Sequence, residues 1–178
     1  MVDMSDLRYP GALIHPRAWV DDACMIGAGT RVWQFASITR GAQIGENCNI
    51  APGATIDGSY VGPDSIIGHN TAMGPGFRLG RGVFVGPSVT FCNDAWPRAS
   101  KIGWDPAKLH SVILVNDEAS IGANCVLLPG ITIGYRAMVA AGSVVHKNVP
   151  DETIWIDGVC RTINDEDRRL EGRMRCAR

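Results

Sequence analysis

Residues 14–56 read IHPRAW VDDACM IGAGTR VWQFAS ITRGAQ IGENCN IAPGAT I. Every sixth position, from Ile14 through Val20, Ile26, Val32, Ile38, Ile44 and Ile50 to Ile56, is isoleucine or valine. One step then shortens to five, and the count resumes at Val61, Ile67, Met73, Leu79, Val85 and Phe91. A third run takes Val115, Ile121, Leu127, Ile133, Val139 and Val145. Of these 20 slots, 18 hold Ile, Val or Leu; roughly four would do so if those residues were scattered at random. A fixed short period is the signature of a repeat architecture.

The neighbours of each slot follow the same period. Glycine comes directly after the slot at Gly27, Gly45, Gly62, Gly68, Gly74, Gly80, Gly86, Gly122 and Gly134. Four places on, small side chains recur: Ala18, Thr30, Ala36, Ala42, Ala54, Ser65, Thr71, Ala119, Ala137 and Ser143, with Cys24, Cys48 and Cys125 in the same register. Six residues suit one short strand and one tight turn. The slot-following glycines are expected to supply the positive φ that such a turn needs. Aliphatic and small residues then point inward and stack on their equivalents one coil away, three units to a coil. A β-sandwich would instead show alternating strands at 8–12-residue spacing, and no such pattern is present. The fold class is an all-β solenoid.

Composition narrows the function. The chain has 178 residues and a formal charge of −1, from 17 basic and 18 acidic side chains. This argues against an extended nucleic-acid or anionic-membrane surface. At 46 % hydrophobic there is material for a packed core. No apolar run reaches the roughly 18 residues that span a bilayer, and residues 1–10 lack a secretion-signal pattern, so a cytoplasmic protein is expected. The six cysteines form no CxxC pair and read as free thiols. The spacing of His15, His69, His110 and His146 gives no metal-ligand set, and no metal is expected.

Two segments leave the period. Residues 92–114 are polar and rich in proline and tryptophan; they read as a loop excursion that keeps the coil phase. Loops on rigid scaffolds carry function disproportionately. Residues 1–150 are thus assigned to the repeat domain and 151–178 to a capping segment, with a last short strand and a short helix begun by Asn164. Trp33 and Gln34 follow Val32 and point outward, and a tryptophan on a solenoid face calls for a partner. Trp96, within the excursion, is expected to pack its loop down.

The hexads, with IGANCVLLPGITIG, VAAGSVVHKNVP and DGVCR, resemble the hexapeptide-repeat acyltransferases over roughly residues 14–161. The resemblance implies a left-handed parallel β-helix, a homotrimer with active sites between subunits, and acetyl-CoA as co-substrate. RVWQFASI and VFVGPSVTFCNDAWPR are similar to the branch that N-acetylates nucleotide-linked amino sugars, on dTDP or UDP, for surface polysaccharide biosynthesis. FCNDAWPR follows that branch's F-T-N-D-x-x-P-R pattern, with Cys92 in place of threonine.

Acyl transfer to an amine requires a neutral nucleophile, donors for the oxyanion and a proton for the departing thiolate. Other hexapeptide acetyltransferases place a histidine a few residues beyond the slot filled here by Phe91; this chain has Asn93 and Asp94 there. Asn93 is therefore expected to hold the sugar amine or hydroxyl and Asp94 to take the ammonium proton, with His69, two places after Ile67 and facing outward, as second candidate base. Asp94 as a loop-turn cap is the competing assignment. Trp33, Gln34, Arg98 and His110 are candidate substrate contacts. Ala141 and Gly142 are expected to offer backbone amides to the pantetheine or thioester, and Lys147 and Arg161 to face the coenzyme A phosphates. The alternatives are a transferase of the same fold with another acceptor, such as a sugar hydroxyl, and a non-catalytic scaffold.

Overall fold

In a computed structural model, which describes residues 8–97, 99, 112–164 and 167, the period becomes a three-sided coil. The first face stacks β1 (Leu13–Ile14), β4 (Arg31–Val32), β7 (Asn49–Ile50), β10 (Ile66–Ile67), β13 (Phe84–Val85), β16 (Ser120–Ile121) and β19 (Met138–Val139). The second stacks β2 (Trp19–Val20), β5 (Ser37–Thr39), β8 (Thr55–Asp57), β11 (Ala72–Met73), β14 (Thr90–Phe91), β17 (Val126–Leu127) and β20 (Val144–Val145). The third stacks β3 (Met25–Ile26), β6 (Gln43–Ile44), β9 (Tyr60–Val61), β12 (Arg78–Leu79), β15 (Leu114–Val115) and β18 (Thr132–Ile133). All ladders between coils are parallel, and each pairs slot with slot, as Ile14 with Val32 and Met73 with Phe91. This is a left-handed parallel β-helix.

All 20 slot side chains are buried, each worth about 1.5–3 kcal/mol of apolar burial. Buried hydroxyls in the small register are satisfied across coils: Thr30 Oγ1 donates to the Gly45 carbonyl at 2.7 Å and Thr71 Oγ1 to that of Gly86 at 3.1 Å. Cys24, Cys48 and Cys125 lie buried in this register as free thiols.

The glycines do a different job from the one expected. None of the nine slot-following glycines has positive φ. A Cβ on eight of them would come within 2.1–2.6 Å of an atom of the neighbouring coil, mostly its backbone, so glycine is there to let adjacent coils touch. The left-handed conformation falls three places after the slot instead. Gly29, Gly53, Gly76, Gly82, Gly130 and Gly142 occupy such positions, as do Asn47, Asp64, Asn70 and the exposed Phe35 at φ 62°.

Both irregular steps fall on the edge between the second and third faces. There Ile56 leads to Val61 in five residues, and Phe91 leads to Val115 in 24. The excursion is shorter than residues 92–114. The Cys92 N–H still bonds the Leu127 carbonyl at 2.9 Å, Ile113 is fully buried, and Leu114 pairs with Arg78. Core packing therefore holds the chain up to Cys92 and recaptures it at Ile113.

The capping segment forms two strands where one was expected. β21 (Thr153–Ile156) lies parallel on β19, and β22 (Val159–Thr162) folds back antiparallel on β21. Trp155 takes the first-face slot above Val139 and is 1 % exposed, which closes the end of the core. The Asp167 N–H donates to Asn164 Oδ1 at 3.0 Å, the bond of an N-cap. Among the described residues, no helix is long and apolar enough to cross a membrane.

Candidate functional site

Because three slots make a coil, each outward residue belongs to a column that climbs one edge of the prism, with about 4.8 Å between coils. Trp33, Gln34, His69, Ala141 and Gly142 all stand on the edge between the first and second faces. Asn93, Asp94 and Lys147 stand on the edge between the second and third. Within one chain the second face separates the two columns, so Asp94 and His69 do not meet. Arg98 and His110 lie outside the described residues.

On the first–second edge, Trp33 is half-buried, and its Nε1–H donates to Asn49 Oδ1 at 2.8 Å, which lays the indole over the first face. The Gln34 carbonyl accepts from the Gly53 N–H at 3.3 Å. His69 is exposed two coils above Trp33, and its carbonyl accepts from the Ser88 N–H at 2.7 Å. At the top of the column the Gly142 N–H is spent on the Ala123 carbonyl at 2.7 Å. Of the expected pair of amides, Ala141 N–H is the one without an acceptor among the described residues.

On the other edge, Asn93 and Asp94 are exposed where the excursion leaves the coil. Asp94 Oδ1 accepts from the Trp96 N–H at 2.7 Å, the loop-capping bond expected of an aspartate in a turn. Its second oxygen receives no bond from the described residues. Trp96 is 84 % exposed and does not pack its loop down against the described residues. Lys147 is exposed two coils higher. Arg161, on β22, makes a two-pronged bond to Asp167, Nη1 to Oδ2 at 2.6 Å and Nη2 to Oδ1 at 2.9 Å. This guanidinium holds the Asp167 carboxyl down to about 2. His146 packs edge-on against Trp155, with ring centroids 5.2 Å apart, and serves the cap.

Gly74 differs from the other slot-following glycines. A Cβ there would lie 3.5 Å from Asn93 Nδ2 and 3.6 Å from a Phe77 ring carbon, ordinary contact distances, while the other eight slot-following glycines abut the next coil. Its N–H faces the Phe91 carbonyl on the β11–β14 ladder in a looser rung than those of Gly68 N–H to Val85 at 2.8 Å and Cys92 N–H to Leu127 at 2.9 Å. The sequence carries one signal of this: Gly74 is the slot-following glycine one coil below the excursion.

Residues 23–58 match the bacterial transferase hexapeptide family (six repeats), and residues 113–147 match the hexapeptide repeat of succinyl-transferase. The chain thus carries hexapeptide repeats of the transferase kind in two stretches. Among curated relatives, the bifunctional protein GlmU of Synechococcus elongatus is 31 % identical over 140 residues, covering 79 % of this chain and 28 % of that protein. The chain thus spans under a third of the length of that relative. Among solved structures, AntD, an N-acyltransferase from Bacillus cereus in complex with dTDP and 3-hydroxybutyryl-CoA, superposes with a TM-score of 0.60 at 16 % identity. That match covers 99 % of this chain and 98 % of AntD. A GDP-perosamine N-acetyl transferase from Caulobacter crescentus, in complex with CoA and GDP-perosamine, gives a TM-score of 0.55 at 22 % identity, over 86 % of this chain and 57 % of that one. At these identities the two structures speak for the fold.

Proposed function

We propose that this protein is an acyl-CoA-dependent N-acetyltransferase whose acceptor is the amino group of a dTDP- or UDP-linked amino-deoxy sugar. One observation carries the reading. A long excursion leaves the solenoid after Cys92, and there the Asn93–Asp94 pair of the F-C-N-D-x-x-P-R stretch stands exposed, with one Asp94 oxygen receiving no bond from the described residues. Stacking coils requires neither the excursion nor that pair. The open oxygen of Asp94 would accept the ammonium proton, and Asn93 would orient the acceptor. His69 remains the second candidate base. Trp33 and Gln34, with Arg98 and His110 from the excursion, are the substrate contacts of this reading.

Donor and acceptor residues on two edges, a full face apart, fit an active site completed by a neighbouring subunit. The outward positions of the first face support a homotrimer: Leu13, Ile66, Phe84 and Met138 form a broken apolar stripe along it, all exposed. In such a cleft, the Ala141 amide, Lys147 and Arg161 would hold the acyl-CoA near the upper coils. Chemistry on acetyl-CoA and sugar nucleotides belongs to the cytoplasm, upstream of surface polysaccharide assembly.

The test is acetyl-CoA-dependent thiol release scanned over dTDP- and UDP-linked 3-amino and 4-amino sugars, with a no-acceptor blank for protein thiols. Release with an amino sugar is the expected result. Silence across the panel with coenzyme A still bound would transfer the proposal to another acceptor. Silence without coenzyme A binding would leave a scaffold.

A further inference from the structure

Charge is distributed over the prism in a way that coil stacking does not require. The described carboxylates of the seven coils all stand on the second–third and third–first edges, while the first–second edge and the first face carry none. Among the described residues, Arg8, Arg40, Arg81, Arg136 and Arg161 each reach a carboxylate, and Arg78 lies over the Tyr60 ring, 5.4 Å from its centroid. Arg17 and Arg31 have neither kind of partner among the described residues, and both are exposed. They bracket an aromatic corner of the acid-free edge. Arg31 stands two residues before Trp33 on the same outward side. The Arg17 carbonyl accepts from the Phe35 N–H at 2.9 Å, which sets Phe35 directly above Arg17. Phe35 holds φ 62° with its side chain 63 % exposed, a conformation that disfavours a bulky residue. The equivalent corners above it hold Gly53, Asn70, Ser88, Asn124 and Gly142. Gln34, half-buried between the two aromatics, carries a carboxamide that both donates and accepts.

We propose that this corner binds the nucleoside diphosphate of the acceptor: Arg17 and Arg31 take the diphosphate oxygens, and the base stacks on Phe35 beside Trp33, with Gln34 at the base edge. This rests on the acetyltransferase reading above and adds to it the residues that hold the nucleotide end. A guanidinium with no carboxylate partner is open to two-pronged bonding with phosphate, and an edge without acids spares the diphosphate any like-charge repulsion. An aromatic ring held out in water gains from a base laid against it. Coenzyme A also contains a nucleoside diphosphate. In the arrangement proposed above it lies near Ala141, five coils or about 24 Å above Trp33, which favours the acceptor as the occupant. The level of Asn93 and Asp94 is only three coils above Trp33, about 14 Å, a climb for the sugar end of a nucleotide laid along the edge.

The experiment is titration calorimetry of UDP, dTDP and, separately, coenzyme A into the wild-type protein, Arg31→Gln and Phe35→Asn, with Tm and sedimentation measured on each. The wild-type protein should bind UDP or dTDP. Arg31→Gln should weaken that nucleotide on the order of tenfold or more, the loss expected for a charge-assisted bond. Phe35→Asn should weaken it on the order of fivefold or more while Tm holds or rises, because asparagine accepts the left-handed conformation. The affinity for coenzyme A should keep its wild-type value in both variants. Unchanged nucleotide affinity in either variant, or a loss shared by coenzyme A, would overturn the assignment. A lowered Tm or a smaller oligomer in Phe35→Asn would also overturn it and make the corner a packing surface. The acetyltransferase reading fails separately: if the wild-type protein binds the nucleotide through Arg31 and Phe35 but acetylates no amino sugar, the site stands and the chemistry falls. A wild-type protein that binds neither nucleotide overturns the site, whatever it acetylates.

Discussion

Replacing Gly62 by alanine tests directly why glycine follows the slot. A Cβ on Gly62 would lie 2.3 Å from the Gly80 oxygen, 2.4 Å from its carbonyl carbon and 2.8 Å from Arg81 N, all backbone. Reaching the lower end of ordinary contact, 3.4 Å, requires the two coils to part by about 1 Å at this corner. The rungs on either side, Tyr60 N–H to the Phe77 carbonyl and Gly62 N–H to the Leu79 carbonyl, are both 2.9 Å and would lengthen out of hydrogen-bonding range. Two lost rungs at about 0.5–1.5 kcal/mol each, with overpacking strain of about 1–3 kcal/mol, give a cost of about 2–6 kcal/mol. For a chain of this size that corresponds to a Tm lower by roughly 5–20 °C. The control is Gly82→Ala, where φ is +65° but the nearest atom is 3.8 Å away; left-handed strain alone should cost about 1–2 kcal/mol. Thermal unfolding followed by circular dichroism compares them. If Gly82→Ala proves as damaging as Gly62→Ala, the close-approach argument is wrong and conformational freedom governs both sites.

Trp155→Ala should destabilise by about 3–5 kcal/mol, since the side chain is buried over Val139 at the open end of the core; an unchanged Tm would show that the cap is not integral to the fold. Asp167 has its carboxyl lowered from 3.8 to about 2 by Arg161. The stability it contributes is therefore complete above about pH 4 and lost as pH falls through about 2. Carboxyl chemical shifts should show this depressed titration, and an ordinary titration near 3.8 would contradict the ion pair. Burial pushes the thiols of Cys24, Cys48 and Cys125 up. At pH 8 a disulfide reagent should therefore label the exposed Cys160 quickly and these three only on unfolding. Fast labelling of all of them in the native protein would contradict the packed register.

The solenoid was legible because inward aliphatics repeat in three long runs; a buried slot tolerates few residue types, so its period survives in a single chain. The purpose of the glycines was not. Tight approach and positive φ both select glycine, and the true left-handed positions hide it by also accepting Phe35, Glu118 and Arg136. Trp155 was hidden because it stands 16 residues after Val139 instead of 18, which breaks the count at the cap. Within the candidate site, Asn93, Asp94 and His69 are recognisable as chemistry-bearing types, but their separation onto different edges follows only from assigning each slot to a face. The pairing of Arg161 with Asp167 depends on the turn after β22, which no period specifies.

The most direct test of the proposed chemistry is the turnover of an Asp94→Asn variant against wild type, with acetyl-CoA and the amino sugar that gives release. Asparagine keeps an oxygen for the Trp96 N–H and so keeps the loop cap, but it cannot take the ammonium proton. The expected result is a fall in kcat of more than tenfold with the KM for acetyl-CoA unchanged. Wild-type turnover by Asp94→Asn, with His69→Ala impaired in its place, would contradict the assignment and move the chemistry to the opposite edge.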